Sequence, residues 1–162
     1  MGIHGSGTKG TDSDSWQPGG GIQMRSRFLP FLGTEFLVAY RRDDYVVNGQ
    51  KVLKVEQIPF QFSLMLYLPL GAIRPYALGG GGYYYTRSTA EGPVLVADVR
   101  ENVWGGHAGA GLDIQFGPKF FLHADARYVF LNLTSLDDVN AVYHGDRKAN
   151  YVTASLGLNW VF

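Results

Sequence analysis

The chain of 162 residues has the length of one domain. Its 14 basic and 14 acidic side chains cancel, so no net field recruits a polyanion, and nucleic acid is excluded as a partner. Aromatics at 14% and charged residues at 17% exclude a disordered chain, and the absence of cysteine excludes disulfide scaffolds, thiolate metal sites and thiol catalysis.

Residues 1–15 (MGIHGSGTKGTDSDS) are polar and glycine-rich and read as a flexible arm or loop, with neither the basic start nor the apolar centre of a signal peptide. From Trp16 onward alternation replaces helical period. Ile22, Met24, Ser26 and Phe28 alternate with Gln23, Arg25 and Arg27; after a break at 29–33, Phe36, Val38 and Tyr40 alternate with Glu35, Leu37, Ala39 and Arg41. Asn48-Gly49 between two apolar runs is a two-residue hairpin signal. Ile58, Phe60, Phe62, Leu64, Leu66 and Leu68 share one face of the next run, and Pro59, Gln61, Ser63, Met65 and Tyr67 share the other. A turn at 69–71 leads into 72–87, whose glycine run 79–82 leaves its facing open.

After a polar loop at 88–102, Ala108, Ala110, Leu112, Ile114 and Phe116 alternate with His107, Gly109, Gly111, Asp113 and Gln115. Gly117-Pro118-Lys119 reverses the chain into Leu122, Ala124, Ala126, Tyr128 and Phe130, alternating with His123, Asp125, Arg127 and Val129. A second polar loop, 132–149, precedes Val152, Ala154, Leu156, Leu158, Trp160 and Phe162. Seven antiparallel strands are identifiable, with no helix, and the class is an all-β up-and-down barrel over 16–162.

Two barrels fit such alternation. A lipocalin-like ligand-binding barrel turns its apolar face inward, and a transmembrane barrel turns it toward lipid. All five lysines (Lys9, Lys51, Lys54, Lys119 and Lys148) fall in predicted loops, turns or hairpin tips, and the polar face is mostly Gly, Ser, Asn and Gln. Aromatics gather at the strand ends: Phe28, Phe36, Phe116, Phe120, Trp160 and Phe162 on the tight-turn side, Tyr40, Tyr83, Trp104, Tyr128 and Phe130 on the other. These features suit interfacial girdles around a filled lumen and favour the membrane reading.

Arg74-Pro75-Tyr76 with the glycine run and Tyr83-Tyr84, then Gly106-His107-Ala108-Gly109-Ala110-Gly111-Leu112, then Ala124-Asp125-Ala126-Arg127-Tyr128, closed by a terminal Phe162, resemble the small outer-membrane β-barrel proteins of Gram-negative bacteria, the OmpA/OmpW-like class. The resemblance implies an outer-membrane location, an eight-stranded barrel embedded in the lipid bilayer, and both termini on the periplasmic side. It also implies that Leu156, Leu158, Trp160 and Phe162 serve as the signal read by the barrel-assembly machinery. Against eight strands only seven are identifiable, so the expectation is a chain lacking its signal peptide and first strand. A seven-stranded closure, an open barrel and a short strand recruited from Ile3–Thr8 are the alternatives.

Arg25, Arg27, Asp113, Asp125 and Arg127 should point inward, because an arginine facing lipid near mid-membrane costs about 2–4 kcal/mol. A five-residue turn at 29–33 places Arg27 opposite Glu35. A three-residue turn at 117–119 places Asp113 opposite His123, and Gly111 and Gly109 opposite Asp125 and Arg127. Together Arg25, Arg27, Glu35, Asp113, His123, Asp125 and Arg127 read as a structural charge network filling the lumen.

Catalysis lacks a motif. His107, Asp113, His123 and Asp125 have no metal-ligand spacing, Ser63 or Ser155 with His123 lacks the local pattern of a lipid-A hydrolase, and neither glycine run is a nucleotide fingerprint. No cofactor is implied. The expected role is structural or surface-interacting, through loops 42–54, 88–102 and 132–149, or alternatively that of a passive channel for small or apolar solutes.

Overall fold

The computed structural model describes residues 1–10, 16–47, 50–90, 98–131 and 150–160, of which 43–47, 50–55, 88–90 and 98–101 are described by backbone alone. Its strands are β1 (Gly2–Gly10), β2 (Gln17–Leu29), β3 (Leu32–Val47), β4 (Gln50–Tyr67), β5 (Ile73–Ala90), β6 (Asp98–Gln115), β7 (Phe120–Leu131) and β8 (Tyr151–Trp160). Each pairs antiparallel with its neighbours in the order β1 to β8, and β1 closes on β8.

The first strand is therefore present within the segment expected to be a flexible arm, and the expectation of a chain without it is corrected. β1 runs between β2 (Ile3↔Ile22, Thr8↔Gln17) and β8 (Ile3↔Leu158, Gly10↔Tyr151). Its pattern is faint because Gly5 and Gly7 stand where a lipid-facing strand would show apolar side chains. What makes it a strand is closure: without it β2 and β8 would leave their backbone donors and acceptors unpaired in hydrocarbon. Lys9 consequently lies on a strand, and Lys51 and Lys54 lie in β4, not in loops or hairpin tips.

The exterior is apolar. Ile22, Met24, Phe36, Phe62, Leu64, Leu66, Leu156 and Leu158 are all exposed, while Glu35, Ser63, His107, His123 and Arg127 are buried inside. Such a surface in water would be an aggregation patch; in hydrocarbon it is the solvated state. From Leu68, one residue past β4, back to Ile58 within it, the outward apolar positions cover about 25 Å along the axis at ~3.3 Å per residue and ~40° tilt, matching the usual apolar band. The facing of β5, open from sequence, is settled by Tyr76, Leu78 and Tyr84, which are buried in the lumen.

Three short turns join the strands at one end. Pro30 and Phe31 alone link β2 to β3, with an irregularity between Arg27 and Leu29. Gly71 (φ +75°) and Gly117 (φ +91°) supply the left-handed residues of the other two, where a side chain would be strained. At the opposite end the wall is uneven. β3 to β6 run 16, 18, 18 and 18 residues, against 9, 13, 12 and 10 for β1, β2, β7 and β8. β2 leaves β3 at Gly19↔Arg41 and β7 leaves β6 at Gly105↔Leu131, whereas the ladders among β3–β6 continue to Val47↔Gln50, Leu53↔Ala90 and Thr89↔Asp98. A four-stranded sheet thus rises above the rest of the rim. Much of 42–54 and 88–102 is this sheet rather than loop, and Asn48-Gly49, 91–97, 132–149 and Phe162 lie outside the described residues.

Candidate functional site

Alternation delivers one polar side chain per two residues to the lumen, and closure decides which of them meet. Arg25 of β2 donates from Nε to Glu35 on the adjacent strand (2.7 Å) and from Nη1 across the barrel to Asp113 of β6 (2.8 Å). Arg127 of β7 donates from Nη1 across the barrel to Glu35 of β3 (2.7 Å) and from Nε to Asp125 (2.9 Å). In the ring of eight strands, β2 and β6, and β3 and β7, stand four apart, so both arginines span the diameter. Tyr76 links them further, accepting from Arg25 at 3.1 Å and donating to Asp125 at 3.0 Å. Ser155 donates to Asp125 (2.7 Å), and Gln61 accepts from Arg127 (3.3 Å).

Glycines make room for these groups. Gly109 faces Arg127 and Gly111 faces Asp125 across the β6–β7 ladder, and a Cβ at Gly111 would collide with the Tyr76 ring. Asp113 does face His123. The β2–β3 register differs from expectation: the turn holds two residues, not five, so Glu35 sits opposite Arg25, and Arg27 opposite Gly33. The shift is an even number of positions, so every side chain keeps its face and only the partner changes.

His123 stands apart from the charges. Its ring lies among Asn159 (Nδ2 to Nδ1, 3.1 Å), Gln23 (3.3 Å) and His4 (ring centroids 6.3 Å apart). Arg27 stays outside the network, over the Tyr67 ring. Higher up, Ser63 and His107 form a hydrogen bond of 2.7 Å, with Tyr84, Val129 and Tyr151 packed as an apolar cluster. His4, Gln23, Gln61, Tyr76 and Asn159 were not singled out from sequence as site residues. Their signal was only parity, since each occupies an inward position of an alternating run.

The serine–histidine pair cannot receive a lipid. Ser63 and His107 are both buried inside the barrel, and His107 Nδ1 has no partner to orient it. Ser155 is engaged with Asp125 rather than His123. Among the described residues no three His, Asp or Glu side chains are placed to hold a metal ion. Above the arginines lies a cavity of about 30 Å³ lined by His4, Ser6, Thr8, Gln61, Arg127 and Thr153 among others, room for about one or two waters. Beside it the β3–β4 ladder lapses between Val38↔Phe60 and Arg41↔Gln57, where Pro59 has no N–H to give.

The whole chain, residues 1–162, matches the family model described as outer membrane protein beta-barrel domain. No curated protein matches it. Among solved structures it is similar to Ail, the attachment invasion locus protein of Yersinia pestis (18% identity, TM-score 0.62, 99% of this chain and 94% of that one). It is likewise similar to OprG from Pseudomonas aeruginosa (15%, TM-score 0.61, 99% and 93%) and to the outer membrane enzyme PagL (12%, TM-score 0.59, 98% and 97%). At these identities the likeness is one of fold.

Proposed function

The chain belongs to the outer membrane protein β-barrel domain family and spans the Gram-negative outer membrane, and from that premise we propose that it is a closed, non-conducting anchor that presents an extracellular β-sheet for surface interaction. The observation that carries the reading is the pair of arginines crossing the lumen to Asp113 and Glu35. With Tyr76, Asp125 and Gln61 filling the same level, the path for a hydrated ion is interrupted by side chains that are themselves hydrogen-bonded in place. The neighbours in fold include an attachment protein and an enzyme, so fold alone selects no role.

Orientation follows from the loops: in this family short turns face the periplasm and longer connections face outward. The tall β3–β6 sheet is then extracellular, beyond the apolar band, where a rigid scaffold offers both strand edges and loop tips to a partner. The reading includes no catalytic role, since the one serine–histidine pair of the described residues is sealed inside. It also includes recognition of the last strand by the assembly machinery. Leu156 and Leu158 face outward on β8 as that requires.

The channel reading draws on the cavity above Arg127, an unfilled space in the lumen. Single-channel recording on protein refolded into planar bilayers separates the two. A silent bilayer with folded protein is expected, and steady ohmic steps would instead favour the channel.

A further inference from the structure

The lower end of the lumen holds two arginines that the crossing network does not use. Arg27 on β2 and Arg74 on β5 both occupy inward positions near the periplasmic turns. Arg27 is exposed, with its guanidinium 5.9 Å from the Tyr67 ring centroid. Arg74 lies 5.0 Å from the Phe121 centroid and donates to the Gly71 carbonyl (3.2 Å) and Gln115 Oε1 (2.8 Å), both neutral acceptors. Neither forms an ion pair with a described residue, and their strands stand three apart in the ring of eight, so the two cations face each other across the mouth.

Asp113 stands cross-strand from Arg74, but its Oδ1 is committed to Arg25. Among the side chains of the described residues, the lower lumen thus collects four guanidinium groups, Arg25, Arg27, Arg74 and Arg127, against the three carboxylates Glu35, Asp113 and Asp125. An uncompensated cation next to a membrane draws an anion.

The rim shows which anion is at hand. Leu29, Phe31, Leu68, Leu70 and Phe116 are exposed at the turns around the mouth. A rim this apolar sits against lipid rather than in water, and the mouth opens at the level of the headgroups, where phosphate is the abundant anion. Guanidinium forks match phosphate oxygens geometrically, and cation–π attraction to Tyr67 and Phe121 favours both positions before binding.

We propose that Arg27 and Arg74 form a phosphate-binding pair at the periplasmic mouth, occupied by the headgroup phosphate of an inner-leaflet phospholipid or by free phosphate. Native mass spectrometry of the detergent-refolded barrel tests it, with short-chain phosphatidylglycerol, inorganic phosphate and, as a phosphate-free control, dioctanoylglycerol. One phosphatidylglycerol per barrel is expected to be retained, and the Arg27→Gln/Arg74→Gln variant should retain it at least about tenfold more weakly, a loss of about 1.4 kcal/mol. Binding of inorganic phosphate alone, lost in the same variant, supports the pair and assigns free phosphate as its occupant. Equal binding by wild type and variant, or retention of dioctanoylglycerol as strong as that of phosphatidylglycerol, overturns the proposal. Should the glutamine variant fail to show the heat-dependent gel shift of a folded barrel, Arg27→Lys/Arg74→Lys keeps the charge without the forks. Its affinity is then expected between wild type and none, and wild-type affinity would overturn the role of the forks.

Discussion

The two faces of one strand pair show how differently this wall is held inside and out. On β6 and β7 the inward positions carry Asp113, His123, Asp125 and Arg127, each bonded to named partners. The outward positions of the same strands include Ala108, Ala110, Ala124 and Ala126, all exposed on the exterior. Inside, each group is specified by another on a distant strand, so a substitution leaves a partner unsatisfied. Outside, the requirement is only to be apolar and of tolerable size. The lumen is this protein's ordered core, and the exterior is its solvent-facing surface, with hydrocarbon as the solvent.

The contrast can be broken most forcefully at Arg127. Arg127→Met leaves the buried Glu35 and Asp125 to share Arg25 alone, and urea unfolding from lipid vesicles should show a loss of about 3–5 kcal/mol. Outside, the damage requires a charge: Leu64→Arg, near the middle of the apolar band, should cost about 2–4 kcal/mol in the same assay. A single methyl group discriminates more finely. Gly111→Ala pushes against the Tyr76 ring and displaces its hydroxyl from Asp125, with an expected loss of about 1–3 kcal/mol. Gly79→Ala adds the same methyl on the lipid side, where the nearest atom is the His107 carbonyl at 3.8 Å, and should stay within about 0.5 kcal/mol of wild type. Equal effects for the two glycines would remove the distinction between a specified interior and a permissive exterior.

The legibility of this fold in the sequence divides along the same line. Parity is visible wherever an outward run is apolar, so β4, with Phe60, Phe62, Leu64 and Leu66 in step, was plain. β1 was not, because Gly5 and Gly7 on its outer face erase the alternation, and only closure between β2 and β8 marks it as a strand. Local register was readable where the turn was: Gly117–Lys119 gave the Asp113–His123 and Gly111–Asp125 pairs. Across Pro30-Phe31 the tighter turn moved Glu35 from Arg27 to Arg25. The crossing pairs Arg25–Asp113 and Arg127–Glu35 were beyond sequence reading. They depend on strand number and stagger, which no single hairpin records.

If a charge pair spanning the diameter braces this barrel, Glu35 and Arg127 must depend on each other, and a double-mutant cycle measures that dependence. Glu35→Gln, Arg127→Gln and their combination would be unfolded by urea from the same vesicles. A mutually dependent pair predicts a coupling of about 1–3 kcal/mol, with the double variant clearly less damaged than the sum of the singles. Additive losses would mean that the two side chains fill the lumen independently and that this pair does not brace it.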